Sequence, residues 1–151
     1  MKPKILFILH LPPPIHGAAM MGKYIQESEL VNSSFDCFCI NLATAGSLSD
    51  IGHISLKKLL KYFFLLKHIS PVVREIRHEL VYITPTDGGK AFFKDFIVVQ
   101  MLKSMGCKVI AHYHNKGVSV YQSKWVYNFF YKRFFSNLKV ILLAENLYKD
   151  I

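Results

Sequence analysis

Short apolar runs alternate along this chain with longer stretches in which apolar and charged positions recur at helical spacing. The runs are Lys4–Leu9, Phe35–Leu42, Leu80–Thr84, Lys108–His112 and Lys139–Leu143. Near-continuous Ile, Val, Leu and Phe over such lengths read as strands buried on both faces, and strands of this kind separated by helices pair in parallel. Helices are predicted over Ala18–Leu30, Ser55–Ile69, Lys90–Met105 and Tyr121–Phe135. In the second of these, Leu56, Leu59, Leu60, Phe63 and Phe64 share a face, with Lys57, Lys58, Lys61 and Lys67 largely opposite. Ser70-Pro71 reads as an N-cap followed by Pro at the first helical position, opening a further short helix to about Glu79. Asp87-Gly88-Gly89 predicts a turn, and Gly106 the end of the helix before it. The expected fold is α/β, a doubly wound parallel sheet of about five strands with helices on both faces.

In an open parallel sheet, ligands bind beyond the carboxyl ends of the strands, where strand order reverses. With the common order 3-2-1-4-5 that crevice lies between the first and fourth strands. The segments His10–Gly17 and His112–Gly117 are then expected to be neighbours, and they hold four of the seven histidines. The loops Ala43–His53 and Pro85–Gly89, the latter containing Thr86, are expected to line the same edge.

Length and composition narrow the picture. At 151 residues and 52% hydrophobic, the chain reads as one domain, Met1–Ile151, able to build a core without disulfides or metals, and not as a disordered chain. No apolar run approaches the roughly 20 residues of a transmembrane helix. Met1–Leu11 reads as a first strand and not as a signal peptide. Cys37, Cys39 and Cys107 make an odd count, which fits a reducing, cytoplasmic setting. The formal charge is +9, and between Lys90 and Lys139 nine Lys and Arg face one acid, Asp95. Such a stretch suits a phosphorylated small molecule, an acidic membrane surface at the inner face, or nucleic acid. No RNP, helix-turn-helix or zinc-knuckle signature accompanies the charge, so nucleic acid is not expected as a partner.

Three local patterns carry candidate chemistry. In Leu11–Ala19, Pro12, Pro13 and Pro14 stiffen the exit from a strand before His16, Gly17 and Ala18 open a helix, whose N-terminal amides favour a phosphate; a rigid turn with small packing residues explains the same residues. Gly17–Tyr24 nearly matches the phosphate-loop pattern, with Lys23 in the lysine position. However, Tyr24 cannot replace the small hydroxyl that binds Mg²⁺, and Ala18–Met21 are helix formers. A phosphotransferase using Lys23 is the alternative this leaves. His112-Tyr113-His114-Asn115 ends a strand, and alternation puts both imidazoles on one side, fit for acid/base work or for hydrogen bonds to sugar hydroxyls or phosphate. Zinc would need further ligands, Cys37 and Cys39 are expected to be buried, and no metal or cofactor is expected. In Tyr121–Phe135, Trp125 and seven other aromatics accompany Lys124, Lys132 and Arg133. That density suits either a peripheral contact with anionic membrane, as does the Lys-rich helix Ser55–Ile69, or an interface with another domain or subunit, self-association included.

KILFILHLPPPIHGAAMMGKYI, LVYITPTDGGKAFFKDFIVVQMLKSMGCKVIAHYHN and KVILLAENLYKDI resemble, in this order, the N-terminal half of a GT-B retaining glycosyltransferase of family 4. The resemblance implies a Rossmann-like acceptor-binding domain in a protein of polysaccharide biosynthesis. It implies a nucleotide diphospho-sugar donor, held mostly by a C-terminal domain with no counterpart here, and a saccharide or lipid-linked acceptor. His114 falls on the family's cleft histidine, with His112 beside it, while Asn115 replaces the usual Gly. Gly17 and Ala18 match the loop that approaches the donor diphosphate, with His16 close by. The chain alone is expected to have little or no transferase activity.

Overall fold

In Lys4–Leu9 (β1) the five consecutive residues Ile5–Leu9 are buried, a pattern that requires a strand covered on both faces. The computed structural model, which describes residues 1–43, 56–76, 78–114 and 116–151, places β1 in a parallel five-stranded sheet. Its other strands are Asp36–Asn41 (β2), Leu80–Ile83 (β3), Val109–Tyr113 (β4) and Lys139–Leu142 (β5), in the order β2-β1-β3-β4-β5. The α/β, Rossmann-like class expected from the pattern is therefore present. The strand order is not 3-2-1-4-5. β3, not β4, adjoins β1, and the chain entering β3 is tied to β1 by the Glu79 amide, which donates to the Lys4 carbonyl at 3.0 Å. Strand order reverses between β1 and β3. Both orders arise from one strand–helix string, so hydrophobic periodicity does not separate them.

By its contacts the chain divides into two compact units, Met1–Val81 and Tyr82–Ile151. In the first, β1 and β2 run in register from Lys4 opposite Asp36 to Leu9 opposite Asn41. β2 is an edge strand, so it is only partly covered: Cys37 is half-buried and Cys39 exposed, against the expectation that both are buried. The helix expected over Ala18–Leu30 is two helices, Gly17–Glu27 (α1) and Glu29–Ser34 (α2). Ser28 breaks it because its backbone is extended and its hydroxyl caps α2, accepting from the Val31 amide at 3.4 Å. Conversely, the predicted new helix at Ser70-Pro71 is absent. Leu56–Ile76 (α3) is one helix with Pro71 inside it. Pro71 removes one backbone donor, but Ile69 and Val73, one turn apart on either side of it, are both buried. Packing of that face keeps the two segments on one axis.

In the second unit, Gly89–Ser104 (α4) ends as expected at Gly106, whose φ of 77° closes a C-terminal motif with Cys107 N–H on the Leu102 carbonyl at 3.0 Å. The predicted Tyr121–Phe135 helix is Val118–Gln122 (α5) and Trp125–Phe135 (α6), and a 3₁₀ helix covers Glu145–Asp150. Phe92 of α4 packs on Tyr131 and Phe134 of α6 with ring centroids 4.6 and 5.5 Å apart, and these three rings are buried. The remaining aromatics of α6 divide between this cluster and solvent, where Trp125 and Phe129 lie. No helix among the described residues is long and apolar enough to cross a membrane.

One close approach in the first unit depends on a missing side chain. At Gly22, in the middle of α1, a Cβ would collide with the His10 carbonyl oxygen and come within 3.3 Å of Leu9 Cβ. Gly22→Ala is therefore expected to cost about 1–3 kcal/mol from overpacking, despite the roughly 1 kcal/mol by which a helix interior prefers Ala. At Gly17 a Cβ meets nothing within 4 Å, and Gly17→Ala should stay within about 0.5 kcal/mol of the parent. Urea unfolding followed by circular dichroism measures both.

Candidate functional site

Along β4, Val109, Ala111 and Tyr113 are buried while Ile110 and His112 are only partly covered, and His114 continues the second series. Alternation puts the two imidazoles on one side, as expected, with ring centroids 4.2 Å apart. Tyr82 of β3 joins them: its hydroxyl shares a hydrogen bond with His112 Nδ1, and the two rings meet edge to face at 5.8 Å. His112 Nε2 and both ring nitrogens of His114 are buried and have no hydrogen-bond partner among the described residues.

Burial makes this cluster neutral. It lowers the His112 imidazole from its ordinary 6.5 to about 4, with the neighbouring His114 adding to the effect. Burial likewise lowers His114 and pushes the Tyr82 phenol up to about 12. At neutral pH the group is two uncharged imidazoles and a phenol. Each neutral imidazole offers one N–H and one lone pair, which suits hydroxyl groups better than phosphate. Among the described residues no three His, Cys, Asp or Glu side chains are grouped to hold a metal ion.

Two buried carboxylates fix the loops that follow β3 and β4. Fully buried Asp95 accepts from the Thr86 amide through Oδ2 at 2.8 Å, while its Oδ1 pairs with Lys94 Nζ at 2.9 Å. Thr86, predicted as a binding residue, is thus held by its backbone in the loop after β3. In the same loop the Asp87 carbonyl accepts from Tyr131 Oη at 2.5 Å. After β4, buried Asp150 accepts from the amides of Gly117, Val118 and Ser119 at 2.8–3.1 Å, and from Ser119 Oγ at 2.6 Å. Burial alone would raise the Asp150 carboxyl, but the Ser119 hydroxyl and the three amides bring it below the usual value. The N-terminus of α5 is therefore filled by the chain's own carboxylate.

The remaining predicted residues head α1 in the first unit. His16 is the N-cap, with Nδ1 accepting from the Ala19 amide at 3.4 Å and its ring 6.1 Å from that of His10. Gly17 is exposed and Ala18 half-buried at the first helical positions. Gly17–Lys23 is helical throughout, and half-buried Lys23 pairs with Glu27 at 3.7 Å, so the phosphate-wrapping loop of a Lys23 phosphotransferase does not form. Asn115 and Thr44–His53, the greater part of the predicted Ala43–His53 loop, lie outside the described residues.

Sequence reasoning missed Tyr82, Asp95 and Asp150 as parts of this arrangement. Asp95 carried a signal as the only acid in its basic stretch. Tyr82 becomes relevant only once β3 is known to lie beside β4, and Asp150 is more than thirty residues from the amides it holds. Two open clefts, of about 490 and 720 Å³, lie at Met1, Lys4 and Asn32 and at Lys103, Phe129 and Arg133, and contain none of the predicted residues.

Because the folded His112 pKa lies below its ordinary value, the unfolded chain binds the proton first. The stability this neutral imidazole provides is present above pH 6.5 and is lost as pH falls from there toward about 4. Urea midpoints measured at pH 7, 5.5 and 4.5 should therefore fall less steeply for His112→Gln than for the parent. Asp150→Asn, which keeps the shape but loses the charge-assisted bonds, should cost about 2 kcal/mol at pH 7, read in the same unfolding experiment. Comparison with protein-family models, with curated proteins and with solved structures returns no match for this chain.

Proposed function

We propose that Met1–Ile151 acts as the acceptor-binding half of a GT-B retaining glycosyltransferase in polysaccharide biosynthesis. In the intact reaction the bond from the anomeric carbon to the donor diphosphate breaks and a bond to an acceptor hydroxyl forms with retention. The departing nucleotide diphosphate carries away the bonding electron pair and takes up the proton that the acceptor hydroxyl loses. The observation that carries this reading is the uncharged His112, His114 and Tyr82 cluster at the carboxyl end of β4 and on β3. Buried polar groups that lack partners bind the hydroxyls that satisfy them and reject analogues without them.

The chemistry asked of these residues is positional. His114, and His112 held by Tyr82, would orient sugar hydroxyls without charge, while stabilisation of the leaving diphosphate falls to helix N-termini and cations. The Rossmann-like sheet supports the same reading. The helical state of Gly17–Lys23 removes the support for phosphotransfer.

Heteronuclear NMR titrations with saccharides, uridine and guanosine diphospho-sugars and ATP·Mg²⁺ test it. Saccharide is expected to shift the signals of His112 and His114, with affinity weakened at least about fivefold by His114→Ala and unchanged by Lys23→Ala. Nucleotide sugars should bind no tighter than about millimolar. Tight ATP·Mg²⁺ binding that disappears with Lys23→Ala, or saccharide binding indifferent to His114→Ala, would overturn the assignment.

A further inference from the structure

Helix α3 has two apolar sides, and only one of them is used by the fold. Ile69 and Val73 are buried. In the first three turns Leu56, Leu59, Leu60, Phe63 and Phe64 are instead 74%, 54%, 51%, 52% and 64% exposed. At 100° per residue these five positions span about 140° of the helix circumference, a continuous stripe turned away from the buried side. Phe63 and Phe64 meet edge to face at 6.3 Å, so the two rings form one raised apolar ridge.

The charges around the stripe decide what it meets. Lys57 and Lys61 follow one border, and Lys67 closes its C-terminal end with Nζ 4.7 Å above the Phe63 ring. These three lysines are exposed and form no ion pair among the described residues, and the first acid of the helix is Glu75, at its far end. A protein partner packing on five large apolar side chains would strand these ammonium groups, and lysine is depleted from protein interfaces for that reason. At a lipid interface the same arrangement is favourable. Leucine and phenylalanine enter the acyl boundary, while the lysine stems lie along it and their ammonium groups reach anionic headgroups.

We propose that α3 docks the protein in the plane of an anionic membrane, with Leu56, Leu59, Leu60, Phe63 and Phe64 inserted and Lys57, Lys61 and Lys67 at the headgroup level. Exposed apolar area supplies insertion, and cationic charge selects the anionic surface. Docking by α3 does not depend on sugar transfer, and it would hold for any activity of the sheet.

Flotation of the full chain with phosphatidylcholine vesicles, and with vesicles containing 30% phosphatidylglycerol (about one anionic lipid in three), tests this at low, physiological and high salt. Binding is expected to the anionic vesicles and to weaken with salt. Phe63→Ser with Phe64→Ser should reduce it at least about tenfold. Lys57→Gln with Lys61→Gln should reduce it about tenfold or more, and only on anionic vesicles. All four side chains are exposed, and an unchanged circular dichroism spectrum verifies the fold of each variant. No vesicle binding overturns the proposal. So does equal binding to neutral and anionic lipid, or a loss that follows Trp125→Ala with Phe129→Ala but neither α3 pair. Sedimentation showing a dimer that dissociates with the Phe63 and Phe64 changes, in a chain that ignores vesicles, would assign the ridge to self-association. Because the vesicles carry no saccharide, failure here leaves the acceptor assignment untouched, and failure of the saccharide titration leaves this one standing.

Discussion

Parallel strands end in loops whose amides no longer have a neighbouring strand to bond, and such amides cannot be left unpaired where the loop is covered. In the second unit the chain resolves this with two buried carboxylates. Asp95 takes the Thr86 amide beyond β3, and Asp150 takes three successive amides beyond β4. Removing a carboxylate from water is costly unless it is well bonded, and each of these has partners on both of its oxygens. The loops that follow β3, which carries Tyr82, and β4, which carries His112, are therefore held by fixed hydrogen bonds.

The same use of charge leaves the surface of this chain strongly basic. Between Lys90 and Lys139 the one acid, Asp95, is turned inward and paired with Lys94, so the other cations of that segment have no carboxylate of their own segment left to pair with. Lys103 also serves the fold: its ammonium donates to the carbonyls of Phe134 and Ser136 at 2.6 and 2.5 Å, where α6 ends. Desolvation lowers its pKa there. On α3 the exposed lysines Lys57, Lys61 and Lys67 accompany the uncovered apolar side chains of Leu56–Phe64, with Lys67 over the Phe63 ring. Excess positive charge beside uncovered apolar surface suits a flat, anionic, partly apolar partner more than a folded protein.

How far the candidate site could be read beforehand differs residue by residue. The pairing of His112 with His114 follows from strand alternation alone, a local property of β4. The N-terminal position of Gly17 and Ala18 on a helix was likewise legible from Pro14 to Ala19, although the role of His16 as N-cap was not. The neutrality of the imidazoles was not legible, because it comes from burial, and burial belongs to the packed chain. Gly22 is instructive in the same way. In sequence it completes a phosphate-loop pattern with Lys23, and in the structure it is the point where α1 crosses close above His10.

Five strands and the parallel α/β class follow from the sequence by itself, since β1 and its fellow runs are short, rich in Ile, Val, Leu and Phe, bounded by turn residues and separated by helical stretches. The stop at Gly106 also follows, because a left-handed turn there requires glycine or a close substitute. Tertiary structure decided the rest. It chose β2-β1-β3-β4-β5 over the alternative order, carried α3 through Pro71, split the helices at Ser28 and at Ser123-Lys124, and exposed Cys39 on an edge strand. It also brought Asp150 to amides more than thirty residues away. Propensity and alternation act over a few residues, whereas strand order, burial and long-range hydrogen bonds depend on which surfaces finally meet.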